Sequence, residues 1–319
     1  MQIKKVKIFI AGHKGMVGSS IISELKKKKT YKIITAPRTL DLRRQNKVEK
    51  FFKIHKPQIV INAAAVVGGV YANNTYPAKF IYDNIMIQSN IIKSCFENKV
   101  KKFIFLGSSC VYPVKDTGML EEDLLTTKLE ETNQWYAVAK ISGIKMCQAY
   151  NKEFKTNYIS LMPTNLYGPN DKYSGIDAHV IPALIEKFYS AKIKNKKNVE
   201  ISGNGKAKRE FLFVRDFAKI VSKILVLKRN KLKKISKDNF MLNIGSGKEV
   251  TIRTLALLIK KVTGFKGTLI FNKNKLVGKK RNYLNISKLK KALPNINYTS
   301  LESGLKITLK EYIKQKKSR

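Results

Sequence analysis

The chain has 319 residues, 43% of them hydrophobic, so it can bury a large core as one big domain or two smaller ones. Three cysteines exclude a disulfide framework; with no charged-then-apolar leader and no apolar run near twenty residues, the expectation is a reducing, cytoplasmic setting without a membrane span. A net charge of +42 and a pI of about 10.1 raise nucleic acid or an anionic membrane as partners. The lysines are dispersed, however, at 26–29, 192–197, 228–237, 273–281 and 310–317, with no aromatic interleaving and no reading helix. That pattern reads as solvated surface that draws in anionic nucleotides, without specific nucleic-acid binding, and no metal is expected.

In chain order, residues 6–11 form a short buried strand, followed by Gly12-His-Lys14-Gly15-Met16-Val17-Gly18 and an amphipathic helix. Strand, glycine turn and helix together let backbone N–H groups approach a pyrophosphate at the positive end of the helix dipole. The spacing is Gly-x-x-Gly-x-x-Gly, which an ordinary βα turn also permits. A second strand at 31–36 ends without the acid that would bond adenosine ribose hydroxyls. Arg38 and Lys14 instead offer cations to a 2′-phosphate, which favours NADP(H), while Asp41 keeps NAD open. Asp41 and Leu42 are expected to line the adenine pocket.

Strand-like runs at 58–62, 102–107 and 157–162 alternate with helix-length segments at 45–55, 77–98 and 135–155. The rhythm predicts an α/β fold, a doubly wound parallel, Rossmann-like sheet, with Gly107–Tyr112 and Pro163–Pro169 just beyond strand ends where ligands bind. After residue 168 the pattern loosens, with helices near 180–194 and 301–315 and a turn at Gly203-Asn-Gly205. The expected division is 1–168 for cofactor and 169–319 mainly for substrate, some later elements returning to the main sheet.

Tyr136 and Lys140 are four residues apart and share one helix face, so a phenol and an ammonium are presented together. The adjacent cation would lower the phenol's pKa, and Ser108 from a strand end would hydrogen-bond the same substrate oxygen. Cys110 beside that serine is otherwise a small buried apolar residue, and His179 otherwise a helix-start residue.

The motifs Gly12-x-x-Gly15-x-x-Gly18, Asn62-Ala63-Ala64-Ala65, Ser108-Ser109-Cys110-Val111-Tyr112 and Tyr136-x-x-x-Lys140 resemble, in order, those of the extended short-chain dehydrogenase/reductase family. Longer stretches, Ala72-Asn-Asn-Thr-Tyr-Pro77, Met162-Pro-Thr-Asn-Leu-Tyr-Gly-Pro169, His179-Val-Ile-Pro182 and Arg209-Glu-Phe-Leu212, resemble its members that act on a GDP-linked 4-keto-6-deoxy sugar. The resemblance implies epimerisation at C3 and C5 followed by NADPH-dependent reduction at C4. Ser108 and Tyr136 would hold the C4 oxygen, Lys140 would serve the tyrosine and the nicotinamide ribose, and Cys110 and His179 would exchange protons. Ala63, Ala64, Pro163, Asn165, Leu166 and His179 would line the cofactor; Ser109, Asn165, Lys187, Arg209 and Lys280 would hold the GDP-sugar. A homodimer through the helices at 77–98 and 135–155 is also implied. Ser202 and the run Phe213-Val-Arg-Asp216 depart from the family pattern and bear on nucleotide packing. The alternatives are a 4-epimerase or another 4-reductase of the family, a 4,6-dehydratase, disfavoured because Ser109-Cys110 lacks a carboxylate, and a nucleotide-sensing module.

Overall fold

The computed structural model describes residues 5–37, 39–175, 178–272 and 281–317. Arg38 and Lys280 lie outside the described residues. The chain begins with β1 (Val6–Ala11), α1 (Met16–Lys26), β2 (Tyr31–Thr35), α2 (Gln45–His55), β3 (Ile59–Asn62), α3 (Val70–Thr75), α4 (Pro77–Glu97) and β4 (Lys102–Leu106). It continues with α5 (Gln134–Phe154), β5 (Tyr158–Pro163), β6 (Asn165–Tyr167), α6 (Val180–Ile193), β7 (Asn198–Ser202), β8 (Lys208–Phe213), α7 (Val214–Leu225) and α8 (Arg229–Ser236). The remainder is β9 (Met241–Ile244), β10 (Glu249–Thr251), α9 (Ile252–Thr263), β11 (Thr268–Asn272), β12 (Arg281–Asn282), α10 (Ser287–Ala292) and α11 (Leu301–Lys317).

The main sheet is parallel throughout, in the order β2-β1-β3-β4-β5-β9. Its central strands are continuous apolar runs because helices cover both faces, and every residue of β4 is buried. α2 shows the complementary pattern, burying Val48, Phe51 and Phe52 on one stripe. The doubly wound, Rossmann-like expectation holds. Strand order reverses between β1 and β3, β2 being added on one side of β1 and β3 on the other, which opens a crevice at their carboxyl ends.

The later chain serves two cores. α7, β9 and α10 add Phe217, Ile220, Leu242 and Leu289 to the core of the main sheet. A second core packs Ile181, Ile185 and Phe188 of α6 against Leu255 and Ile259 of α9 and Leu305 and Tyr312 of α11. Beside it, β8 pairs with β6, β10 and β12, and β7 with β11. Most of these elements went unforeseen: α7 follows β8 without an intervening loop, and its first turn has no side-chain cap, so no punctuation marks the change.

Lys102 is a buried basic residue in β4. Its Nζ donates to the carbonyls of Leu225 and Leu227, each at 2.7 Å, closing the carboxyl end of α7. Burial pushes its pKa down to about 8. The folded state therefore favours the neutral amine, so charging costs stability below that pH, and the cost fades as pH rises toward the unfolded value near ~10.4. Urea unfolding from pH 7 to 10 should show wild-type stability rising about 2 kcal/mol more than that of Lys102→Met; parallel curves would contradict this account.

Candidate active site

The glycine turn fills the crevice between β1 and β3. Gly12 has φ +77°, and a Cβ there would lie 2.6 Å from the Ala63 carbonyl group and 2.7 Å from the Ala64 nitrogen. A Cβ on Gly18 would lie 2.2 Å from the Gly12 oxygen. Only glycine permits this approach. Gly15 is the N-cap of α1 without a side-chain cap, and no acid occupies the first turn. The N–H groups of Met16, Val17 and Gly18 are thus directed at whatever lies in front, with Lys14 exposed beside them. On the opposite wall, Asn62 is buried; its Oδ1 accepts from the Ala64 N–H at 3.1 Å while its Nδ2 has no protein partner. A blocked glycine cradle, a bare helix start and an orphaned buried amide fit a dinucleotide.

Further along this edge, Leu40, Asp41, Leu42, Val66 and Ile87 line a cleft of about 370 Å³, where an adenine was expected. Asp41 is not spare there. Arg43 donates to its two carboxylate oxygens at 3.0 and 2.9 Å, which holds its pKa near about 2, and reaches Asp83 at 3.1 Å. Sequence reasoning missed Arg43 because the pairing depends on Asp83 and Lys79, some forty residues onward.

The second wall begins where β4 ends. Ser108 caps the short 3-10 turn Ser109–Val111, its Oγ accepting from the Cys110 N–H at 3.3 Å, so its own hydroxyl proton remains to be donated. Ser109 and Cys110 are buried, and Cys110 is a thiol. α5 brings Tyr136 and Lys140 to the same place. Lys140, 3% exposed, donates from Nζ to the Leu106 carbonyl at 2.8 Å and lies 5.7 Å from the centre of the Tyr136 ring. Burial pushes Lys140 down to about 8, countered by Cys110, and pushes the Tyr136 phenol well above its ordinary value, reinforced by Cys110. The shift is upward, the reverse of the expected direction, and the phenol holds its proton at neutral pH.

Two clamps not foreseen in the sequence hold this wall. Gln88 of α4 donates to the Ala139 carbonyl and the Ser142 hydroxyl of α5, and Asn84 makes paired bonds with the backbone of Val66 at 2.9 and 3.0 Å. The only signal available was a polar residue on an otherwise apolar helix face.

The third side is less tightly gathered. Pro163 ends β5, Leu166 packs on the main core, and Asn165 donates from Nδ2 to the Glu210 carbonyl at 2.9 Å. Arg209 on β8 is half-buried, which lowers its pKa, with Glu130 acting the other way. His179 is exposed at the N-cap of α6. Lys187, also exposed, donates to the Glu200 carbonyl at 2.9 Å, and so is engaged with backbone. Gly18→Ala should weaken binding of a reduced nicotinamide dinucleotide by about tenfold or more, read by fluorescence titration, because its Cβ has no room; unchanged affinity would place the dinucleotide elsewhere.

Comparison with known proteins agrees with this geometry. Residues 8–245 match the model of the NAD dependent epimerase/dehydratase family. GDP-L-fucose synthase from Sinorhizobium fredii is 46% identical, covering 96% of this chain and 95% of its own length. The Escherichia coli GDP-L-fucose synthase is 42% identical over 98% of each. Among solved structures, a GDP-6-OMe-4-keto-L-xylo-heptose reductase from C. jejuni superposes with a TM-score of 0.91 at 33% identity, covering 99% of both chains. A family model spanning most of the sequence, and full-length relatives above 40% identity, make this chain a member of the NAD dependent epimerase/dehydratase family.

Proposed function

We propose that the chain converts GDP-4-keto-6-deoxy-D-mannose to GDP-L-fucose, epimerising C3 and C5 and then reducing the C4 ketone with NADPH. The carrying observation is the gathering of Ser108, Cys110, Tyr136 and Lys140 at the end of β4, with no carboxylate following the serine. The names of the similar synthases support the choice of sugar nucleotide.

Protons next to a ketone become removable when charge on its oxygen is stabilised. A proton leaves C3 to one of Cys110 and His179, the C4 oxygen takes hydrogen bonds from the Ser108 hydroxyl and Tyr136 phenol, and the other group returns a proton to the opposite face. The same exchange at C5 completes the inversion. In the reductive half, Tyr136 passes its proton to the C4 oxygen, a task suited to a phenol that burial keeps protonated. Bound NADPH supplies the hydride. Lys140 stands behind the phenol to stabilise the phenolate this leaves, and Arg209 would neutralise the diphosphate.

We read NADPH over NADH because Asp41, the one acid near the second strand's end, is consumed by Arg43, while Lys14 stands exposed beside the glycine turn to meet a 2′-phosphate. Incubation with the keto sugar nucleotide and either cofactor, followed by identification of the product sugar, tests substrate and cofactor together. A 4-reductase acting on another GDP-linked keto sugar is the second reading, favoured by the likeness to the heptose reductase. We also propose a homodimer through α4 and α5, where Tyr82, Val138 and Phe154 are exposed apolar residues, and a reducing, cytoplasmic setting. Among the described residues no helix is long and apolar enough to cross a membrane.

Cys110→Ser should lower solvent-deuterium incorporation at C3 and C5 by about 10²-fold or more with NADPH affinity preserved; normal product formation would refute the assignment. Tyr136→Phe should cut NADPH oxidation by about 10²–10⁴-fold while binding both ligands, and retained turnover would remove it from the mechanism.

A further inference from the structure

Glu210 is fully buried, and among the described residues no lysine or arginine forms an ion pair with it. Such a carboxylate is costly unless hydrogen bonds replace its water. Here they do: Oε1 accepts from the Gly247 N–H at 2.7 Å and the Ser246 hydroxyl at 3.4 Å, and Oε2 from the Leu284 N–H at 2.9 Å. Gly245 makes room, since a Cβ there would lie 2.3 Å from Oε1. The backbone oxygen of Glu210 accepts from Thr164 Oγ1 at 3.2 Å and Asn165 Nδ2 at 2.9 Å. One residue therefore binds the stretch after β5, the turn between β9 and β10, and the segment leaving β12.

Arg209 is its neighbour on β8, and successive strand residues point to opposite faces. Its register partners are Val250 of β10 and Asn282 of β12, two of the strands that Glu210 fastens from behind. We propose that Glu210 is a positioning residue for nucleotide-sugar binding, locking the strand that carries Arg209, together with Asn165, in the direction of the substrate diphosphate. This rests on reading Arg209 as the diphosphate ligand. A carboxylate is required because two converging N–H groups and a hydroxyl need an acceptor-only group; a glutamine would turn N–H toward N–H.

The test is Glu210→Gln in the full chain, with GDP as probe. The Kd for GDP and the KM for the sugar nucleotide should rise about tenfold or more, while kcat and NADPH affinity stay within about threefold. A general loss of packing would move all four together and overturn the proposal. Should Glu210→Gln fail to fold, Glu210→Asp keeps the charge with a shorter reach, and a double-mutant cycle with Arg209→Ala isolates the coupling. The expected result is a Glu210→Asp effect on GDP affinity that largely disappears in the Arg209→Ala background. Full additivity would overturn the role of Glu210 alone; unchanged GDP affinity in Arg209→Ala would overturn the diphosphate reading and this proposal with it.

Discussion

Lys140 carries an almost completely buried amine to the open carbonyl of Leu106, the last residue of β4, and this hydrogen bond joins the two elements that make the site. Ser108 and Cys110 come two and four residues after Leu106, and Tyr136 stands one helical turn before the lysine. Moving α5 relative to β4 would therefore separate phenol from hydroxyl and thiol at once. Burial makes the amine easier to discharge, yet the carbonyl it meets and the neighbouring Cys110 favour the cation. Gln88 reinforces the arrangement from α4 by bonding the carbonyl of Ala139, adjacent to Lys140 in the chain.

What was legible in the sequence was whatever depends on local chemistry. The glycine turn can be read because only glycine tolerates the approach of Gly12 to Ala63, and α2 spans Gln45–His55 as its apolar spacing requires. Tyr136 and Lys140 share a helix face for the same reason. The illegible parts depend on partners distant in the chain. The Asp41–Arg43–Asp83 cluster, the two-residue β12 and the buried Glu210 each acquire meaning only after the fold has formed. The direction of the Tyr136 shift belongs with them, since a sequence displays the nearby cation but not the desolvation and the Cys110 neighbour that raise the phenol.

The +42 charge looks different once acids are placed. Several of the few carboxylates are interior clamps: Asp83 holds Lys79 and Arg43, Asp216 holds Lys219 and the Thr299 N–H, and Glu121 accepts from the Asn243 N–H. Acids withdrawn to structural posts leave the cations on the outside, where physiological salt screens them beyond ~8 Å.

β9 completes the main sheet beside β5, pairing Ser160 with Met241 and Pro163 with Ile244, across some eighty residues of intervening chain. During vectorial synthesis β5 thus emerges as a bare edge, its amides and carbonyls exposed to any other extended segment until the ribosome has released the later strand. Such a long loop closure slows the search for the native pairing. The nascent polypeptide is thus open to misassembly through the whole interval in which α6, β8 and α7 are being made.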